Sequence, residues 1–210
     1  SIRRQRQMCI RDSRKVDVVS SALDFILPFE KYKITAGAKV SFTNTRNGIN
    51  YDTSDPTLVQ DDYFRYKEQI YALYADYSRE FSERFSMQLG LRMEHTRTTG
   101  ISEAKDTEDK HDYTRLFPTV YLLYSPTDGH ALNFSFSNRI SRPSQNMVNP
   151  FPFYQNKYTY ACGREDLKPS YTYNAELGYT LKNNFNVSAY YSYSDDVFFQ
   201  VVDLDAETNV

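Results

Sequence analysis

The feature of this sequence that most constrains its fold is a regular alternation of apolar and polar residues. In residues 85–93, Phe, Met and Leu occupy the odd positions, while Ser, Gln, Gly and Arg occupy the even ones. The same alternation recurs in residues 132–137 and 171–179. Successive side chains of a β-strand point to opposite faces, so each segment has one apolar face and one polar face. The pattern therefore predicts half-apolar strands rather than helices.

Extending this reading along the chain predicts an all-β protein of about eight antiparallel strands. The strands are expected at residues 16–27, 32–43, 66–80, 84–96, 113–124, 130–141, 170–181 and 185–201. Short connections at 28–31, 82–83, 125–129 and 182–184 alternate with long connections at 44–65, 98–112 and 142–169. Bacterial outer-membrane barrels have short turns on one side and long loops on the other. The sequence therefore predicts an antiparallel transmembrane β-barrel segment.

Composition is compatible with this fold class. No run approaches the roughly 18 apolar residues of a spanning helix, and the mean hydropathy is −0.66. Both observations are compatible with a membrane barrel, because a spanning strand needs apolar residues on only one face. The chain has 19 Tyr, 14 Phe and no Trp, and barrels concentrate aromatic rings at both membrane surfaces. A net charge of −2 gives no support for a nucleic-acid partner.

The amino-terminal end of the chain suggests a partial barrel. Residues 1–13 are basic, fit no predicted strand and lack the apolar core of a signal peptide. We interpret them as a non-native or disordered segment, and residues 14–210 as a partial outer-membrane β-barrel domain. An exported barrel needs a signal, so we expect a missing upstream part and a larger barrel, although eight strands can close alone. Cys9 and Cys162 lie far apart and are not expected to pair.

Several motifs occur in a characteristic order. They are Asn-Arg-Ile-Ser-Arg-Pro-Ser at 138–144, Asn-Pro-Phe at 149–151, Asp-Leu-Lys-Pro-Ser at 166–170, Ala-Glu-Leu-Gly-Tyr at 175–179 and Ser-Ala-Tyr-Tyr at 188–191. Residues 90–96 read Gly-Leu-Arg-Met-Glu-His-Thr. This order resembles the carboxy-terminal barrel half of TonB-dependent outer-membrane receptors, in the outer-membrane β-barrel family. Arg164-Glu165 replaces the Asn-Pro usual in that family, and Ser170 stands where Glu is common.

The resemblance implies a location in the bacterial cell outer membrane and a barrel of about 22 strands. It also implies an amino-terminal plug and a short segment that binds TonB. Neither is recognised in this chain, so TonB would act through a missing amino-terminal region. The expected substrate is a siderophore, an oligosaccharide or a similarly bulky nutrient, and the expected lipid partner is the outer membrane. The alternatives are a stand-alone small barrel acting as an anchor or adhesin, and a soluble ligand-binding β-barrel.

Two groups of residues are candidates for contact with other molecules. Strand phase predicts that the barrel lumen is faced by Arg92, Glu94, Arg139 and Glu176. These four would contact the plug or the substrate, or form ordinary salt bridges of a polar wall. A candidate ligand-contact cluster in the third long connection consists of Phe151, Phe153, Tyr154, Tyr158 and Tyr160. Their rings could stack on a rigid ligand or pack against one another.

No enzyme, cofactor or metal site is expected. His95, His111 and His130 are separated by strands and loops, and no two of them have metal-ligand spacing. No Ser or Cys is placed with a His as a nucleophile pair would be. The acidic stretch 103–112 lacks the central glycine of a calcium loop, and we interpret it as a solvated loop.

Overall fold

A computed structural model describes residues 9–52, 62–102, 107–148, 153–156, 159–164, 166–182 and 184–201. It contains ten strands and one short helix. These elements are β1 (Cys9–Pro28), β2 (Tyr32–Asp52), β3 (Asp62–Ser82), β4 (Phe85–Ser102), β5 (Thr107–Tyr124), β6 (His130–Ser141), α1 (Gln145–Val148), β7 (Phe153–Asn156), β8 (Thr159–Ala161), β9 (Ser170–Leu181) and β10 (Phe185–Asp195). None of the described helical residues forms a helix long and apolar enough to cross a membrane.

Eight of the strands form one antiparallel sheet in the order β1-β2-β3-β4-β5-β6-β9-β10. Strands β7 and β8 form a separate hairpin within the connection between β6 and β9. The predicted all-β antiparallel architecture is therefore confirmed. The sheet is a single open layer whose edges are β1 and β10. All side chains described in these two edge strands are exposed.

The first two long connections differ from the prediction. β2 continues to Asp52 and β3 begins at Asp62, while β4 continues to Ser102 and β5 begins at Thr107. Residues read as loops from the sequence thus pair across the ladder, as Asn44 does with Lys67 and Thr98 with His111. These extensions are mostly polar, and apolar residues such as Ile49 and Phe64 are out of phase with the apolar positions of their strands, so the alternation stops although backbone pairing continues. The predicted bounds of these two connections, 44–65 and 98–112, were therefore wrong.

The edge strands also differ in extent from the prediction. β1 begins at Cys9, which pairs with Asp52, so residues 9–13 belong to a strand that the sequence reading did not assign. β10 ends at Asp195 rather than at residue 201. Its neighbour β9 begins at Ser170, one residue beyond the Asp195–Tyr171 pair, and residues 196–201, the described part of the chain after β10, have no partner in this sheet.

Strand heights differ across the sheet. Pairing links Glu94 of β4 with Ala72 of β3 and with Arg115 of β5. From this level β3 continues to Asp62, β4 to Ser102 and β5 to Thr107. β6 ends at Ser141, which pairs with the first residue of β9, Ser170. At the end of the sheet with the long connections, β1 to β5 therefore extend further than β6 and β9.

Pro118 lies where one ladder ends. β5 pairs with β4 along its whole length, including a Leu91–Pro118 pair, but pairs with β6 only from Thr119 to Tyr124. Proline has no N–H to donate to a neighbouring strand, which explains a ladder that stops beside it. Just beyond this point Asn138 Nδ2 donates to the Leu116 carbonyl at 3.4 Å. The ring of Phe117 packs there at 6.5 Å from that of Tyr171, between centroids, and both residues are buried.

Candidate functional site

The pairing register gives the sheet two continuous and unlike faces. Leu91 pairs with Ala75 and Pro118, so these residues and their neighbours two positions away share one face. The residues between them share the other face, where Glu94 pairs with Ala72 and Arg115. The first surface is the apolar face and the second is the polar face. The alternation read from sequence is thus in phase across all the strands.

The apolar face is open rather than packed against protein. Leu73, Leu91, Leu116 and Leu177 are each at least half exposed. A contiguous apolar surface of this size is unfavourable in water and marks a surface that contacts another apolar medium. The described residues provide no second layer that covers it.

Aromatic rings lie at both limits of the apolar face. The end with the short turns carries Phe29, Tyr32, Tyr77, Phe81, Phe85, Tyr124 and Tyr179. Near the other limit Tyr71 packs edge-on to Phe42, with ring centroids 5.9 Å apart, and lies 6.3 Å from the His95 ring. Two aromatic rows around an apolar band are typical of barrels whose rings lie at the membrane surfaces.

The spacing of these rows fits a membrane. On β4 the rows are marked by Phe85 and His95, and ten steps of a strand at ~3.4 Å each span about 34 Å. With a strand tilt of about 40°, the band is roughly 26 Å tall, close to the ~25 Å apolar band of outer-membrane barrels. The apolar face therefore has the chemistry and the height of a lipid-facing surface.

The four residues predicted to face a lumen lie on the polar face. Arg92 and Glu94 lie on β4, Arg139 on β6 and Glu176 on β9, all at positions of the polar-face phase in the register. Arg92 Nε donates to Glu94 Oε1 at 2.6 Å, and the guanidinium of Arg92 lies 5.5 Å from the centre of the Tyr74 ring. The structure therefore brings Arg92 and Glu94 together, while Arg139 and Glu176 lie on other strands of the same face. Whether any of them contacts substrate or plug stays a prediction.

The most concentrated charged group on this face is centred on Glu94, which is 7% exposed. Arg142 follows directly after β6, and its Nη2 donates to Glu94 Oε2 at 2.5 Å and to Thr96 Oγ1 at 3.1 Å. Arg142 Nε lies 3.9 Å from Glu68 Oε2, too far for a hydrogen bond but close enough for attraction between charges. Glu94 therefore accepts hydrogen bonds from two guanidinium groups, and Arg142 faces two carboxylates. This charged cluster consists of Glu68, Arg92, Glu94, Thr96 and Arg142.

The charged cluster fixes the start of the third long connection. To reach Glu94, the Arg142 side chain passes over the polar face of β5, where it interacts with Tyr113. Burial is the largest effect and disfavours the charged form of Arg142, but the hydrogen bond to Glu94 and the charge interactions with Tyr113, Glu94 and Glu68 together outweigh it, so the pKa of the guanidinium is raised above its ordinary value. Arg142 therefore remains a cation, and the connection is bound to the wall by a charge-assisted hydrogen bond.

Sequence reasoning found only part of this cluster. Strand phase identified Arg92 and Glu94. Glu68 lies in the predicted strand 66–80 but is not among the predicted lumen-facing residues, and Arg142 lies at the start of the predicted connection 142–169. A loop residue has no period that would reveal the direction of its side chain, so the sequence carried no signal for this contact.

The predicted aromatic cluster is only partly described. Phe153 and Tyr154 belong to β7, and Tyr160 belongs to β8, where Tyr154 pairs with Tyr160 across the hairpin. Their side chains, and Phe151 and Tyr158 entirely, lie outside the described residues. The backbone thus places three of the five on one hairpin, and their role stays a prediction.

The histidines take part in pairs rather than clusters. His95 contacts Thr114 and Asp112, and His130 Nδ1 lies 2.7 Å from the Tyr179 hydroxyl. Within the described ranges no group of three His, Cys, Asp or Glu side chains could hold a metal ion. Cys162 is free and exposed.

Comparison with known proteins agrees with this geometry. The model of the outer membrane protein beta-barrel family matches residues 4–210. The ferric yersiniabactin uptake receptor FyuA of Yersinia pestis is similar in structure, with a TM-score of 0.56 and 16% identity over 90% of this chain and 30% of the receptor. The copper transporter OprC matches with a TM-score of 0.65 and 12% identity over 86% of this chain and 30% of the transporter.

The ferric-catecholate import receptor Fiu of E. coli K12 is also similar, with a TM-score of 0.54 and 11% identity over 85% of this chain and 31% of the receptor. At these identities the likeness concerns the fold alone. The chain spans less than a third of the length of each of these structures. A search of curated proteins found no match.

Proposed function

The chain belongs to the outer membrane protein beta-barrel family, and we propose that it forms part of the barrel wall of a TonB-dependent receptor that imports a bulky nutrient. Family membership places it in the bacterial outer membrane. The observation that carries the proposal is the pair of unlike faces, one an apolar band bounded by aromatic rows and the other polar with a buried charged cluster. A wall between lipid and an aqueous passage requires this arrangement.

We infer that further strands complete the barrel, to a total of about 22. β1 and β10 lie at opposite edges of the sheet and expose every described side chain. Unpaired edges are unfavourable in a membrane, because lipid cannot hydrogen-bond the free backbone groups. Pairing with other strands of the same protein would satisfy both edges.

The polar face would line the passage for the substrate, which we take to be a siderophore or an oligosaccharide. Arg92, Arg139 and Glu176 would contact the substrate or a plug domain. The aromatic hairpin β7–β8, with Phe153, Tyr154 and Tyr160, lies in the connection that Arg142 binds to the wall. Phe151 and Tyr158 belong to the same connection. These rings would stack on the ligand at the outer mouth.

Uptake by the full-length protein in its host tests this function. Deleting its gene should abolish uptake of one labelled siderophore or oligosaccharide, and complementation should restore it. Depleting TonB, or collapsing the proton gradient with an uncoupler, should stop uptake while leaving surface binding intact. Uptake that continues after TonB depletion would contradict coupling through TonB.

Ligand contact and strand number each have a separate test. Tyr154→Ala and Tyr160→Ala should weaken ligand binding, whereas Tyr32→Ala, at the short-turn end, should not. In full-length protein lacking native cysteines, cysteine pairs placed on β1 and β10 should not cross-link to each other. Efficient cross-linking between these strands would favour a closed small barrel that serves as an anchor or adhesin.

A further inference from the structure

A largely apolar groove crosses the apolar face near the short turns. It has a volume of about 380 Å³ and is lined by Asn133 and by the apolar or aromatic side chains of Phe85, Leu122, Tyr124, Leu132, Phe134 and Leu177. These side chains come from four neighbouring strands, β4, β5, β6 and β9. The groove therefore lies within the apolar band and borders one of its aromatic rows.

Aromatic rings form the wall of the groove nearest the turns. The ring of Phe85 lies edge-on to that of Tyr124, with centroids 6.4 Å apart, and packs against Phe81 at 5.4 Å. The lining presents almost no polar surface. In a lipid-facing band, such a depression is filled by hydrocarbon, because an empty groove loses dispersion contacts and water finds no hydrogen-bond partners there.

Two nitrogen-bearing side chains lie where the groove reaches the end with the short turns. Arg84 precedes Phe85, and its Nη1 donates to the Pro126 carbonyl at 3.0 Å, which holds the guanidinium between two neighbouring turns. The Ser125 N–H donates in turn to the Arg84 carbonyl at 2.7 Å. His130 Nδ1 lies 2.7 Å from the Tyr179 hydroxyl, and Tyr179 pairs with Leu132 of the groove.

These side chains have donor capacity left for a ligand. Among the described residues, Arg84 forms no ion pair and Nε2 of His130 has no hydrogen-bond partner. Nε2 carries the proton, and can donate it, in the tautomer in which Nδ1 accepts from the Tyr179 hydroxyl. Arginine is well suited to phosphate because its planar fork donates two parallel hydrogen bonds. An apolar groove that ends at an unpaired cation on the membrane surface is complementary to a lipid with a phosphate head group.

We propose that this groove is a specific binding site for one phospholipid, with an acyl chain along Phe85, Leu132 and Leu177 and the phosphate between Arg84 and His130. Short turns of outer-membrane barrels lie on the periplasmic side, so the lipid would come from the periplasmic leaflet. The proposal depends on the membrane placement of the apolar face and not on the identity of the imported nutrient.

Native mass spectrometry of the full-length protein, extracted in mild detergent, tests the site. Delipidated protein titrated with phosphatidylglycerol should bind one molecule tightly. The Arg84→Gln/His130→Gln double variant should bind it about tenfold more weakly or worse, the loss expected for a charge-assisted hydrogen bond. Leu177→Trp should fill the groove and also reduce binding.

Matched controls separate this site from general lipid coating. Lys31→Gln removes another exposed cation from a short turn, and Leu91→Trp enlarges a side chain that is 50% exposed on the same face, against 52% for Leu177. Both should bind as the unchanged protein does. Equal binding by all variants would overturn the proposal, as would competition by glycerol phosphate, which has no acyl chain. Binding of lipopolysaccharide in place of phospholipid would also overturn it.

Nutrient uptake should be measured on the same variants. Loss of uptake on TonB depletion concerns the proposed function, whereas lipid retention concerns only the groove. A failure of either idea can therefore be recognised separately.

Discussion

Arg142 donates a 2.5 Å hydrogen bond to Glu94, a residue 48 positions earlier in the chain. The bond crosses the intervening strand β5 and binds the chain that leaves β6 to the polar face of β4. Glu94 also accepts from Arg92 at 2.6 Å. One buried carboxylate therefore links a strand residue and a loop residue, and this link binds the start of the third long connection to the sheet.

Removing this carboxylate should destabilise the protein. Glu94→Ala leaves the half-buried Arg142 without its closest hydrogen-bond acceptor and should lower the free energy of unfolding by about 1.5–3 kcal/mol, the range for hydrogen bonds to charged groups. Urea unfolding of the full-length protein in detergent, followed by circular dichroism, measures the change. Asp166→Ala is the control, since its partner Arg164 is exposed and the pair is screened by solvent. Equal stability of the two variants would contradict a structural role for Glu94.

A charge should be tolerated on one face of β4 and not on the other. Leu91→Lys places an ammonium in the apolar band and should cost about 2–4 kcal/mol if that band is in the membrane interior. Gln88→Lys lies on the exposed polar face and should have little effect. The fraction of folded protein, read from heat-dependent migration on gels, compares the two. Similar losses for both variants would mean that the faces are assigned wrongly.

Gly90 provides space for side chains of neighbouring strands. A Cβ atom at this position would clash with Thr119 Oγ1 of β5 and Asp76 Oδ1 of β3. Gly90→Ala should therefore cost about 1–3 kcal/mol, the usual effect of overpacking. At Gly100 the nearest atom, of Phe64, lies 3.6 Å away, so Gly100→Ala should be nearly neutral. If thermal unfolding shows the same midpoint for both variants, the close approach at Gly90 is not present in solution.

The ring of Tyr171 closes the gap where β5 and β6 part. Tyr171 is 8% exposed, and the guanidinium carbon of Arg115 lies 4.7 Å from its ring centre. Tyr171→Ala should cost about 3–5 kcal/mol, as truncation of a buried aromatic ring does. Tyr171→Phe keeps the ring and should change the unfolding free energy little. An equal loss in the two variants would show that the hydroxyl, rather than ring packing, is responsible.

Strands could be predicted from the sequence where the two faces of the sheet differ in chemistry, one apolar and the other polar. Between Phe85 and Met93 the two faces alternate in chemistry, so strand, phase and the shared face of Arg92 and Glu94 followed from sequence. From Asn44 to Asp52 most residues are polar and Ile49 is out of phase with the apolar positions of β2, so the period is lost, although β2 pairs with β3 there as far as Ile49. Arg142 lies outside any period, and its contact with Glu94 depends on the path of a loop, which local sequence does not encode.

The strands end at unequal heights where the long connections leave the sheet. β3, β4 and β5 continue well beyond the level of Glu94, whereas β6 and β9 meet at Ser141 and Ser170 close to that level. A solute arriving from outside would find a high side and a low side, and the chain that Arg142 secures departs from the low side. In the proposed barrel, access over this rim would be oblique, from the side where β6 and β9 end.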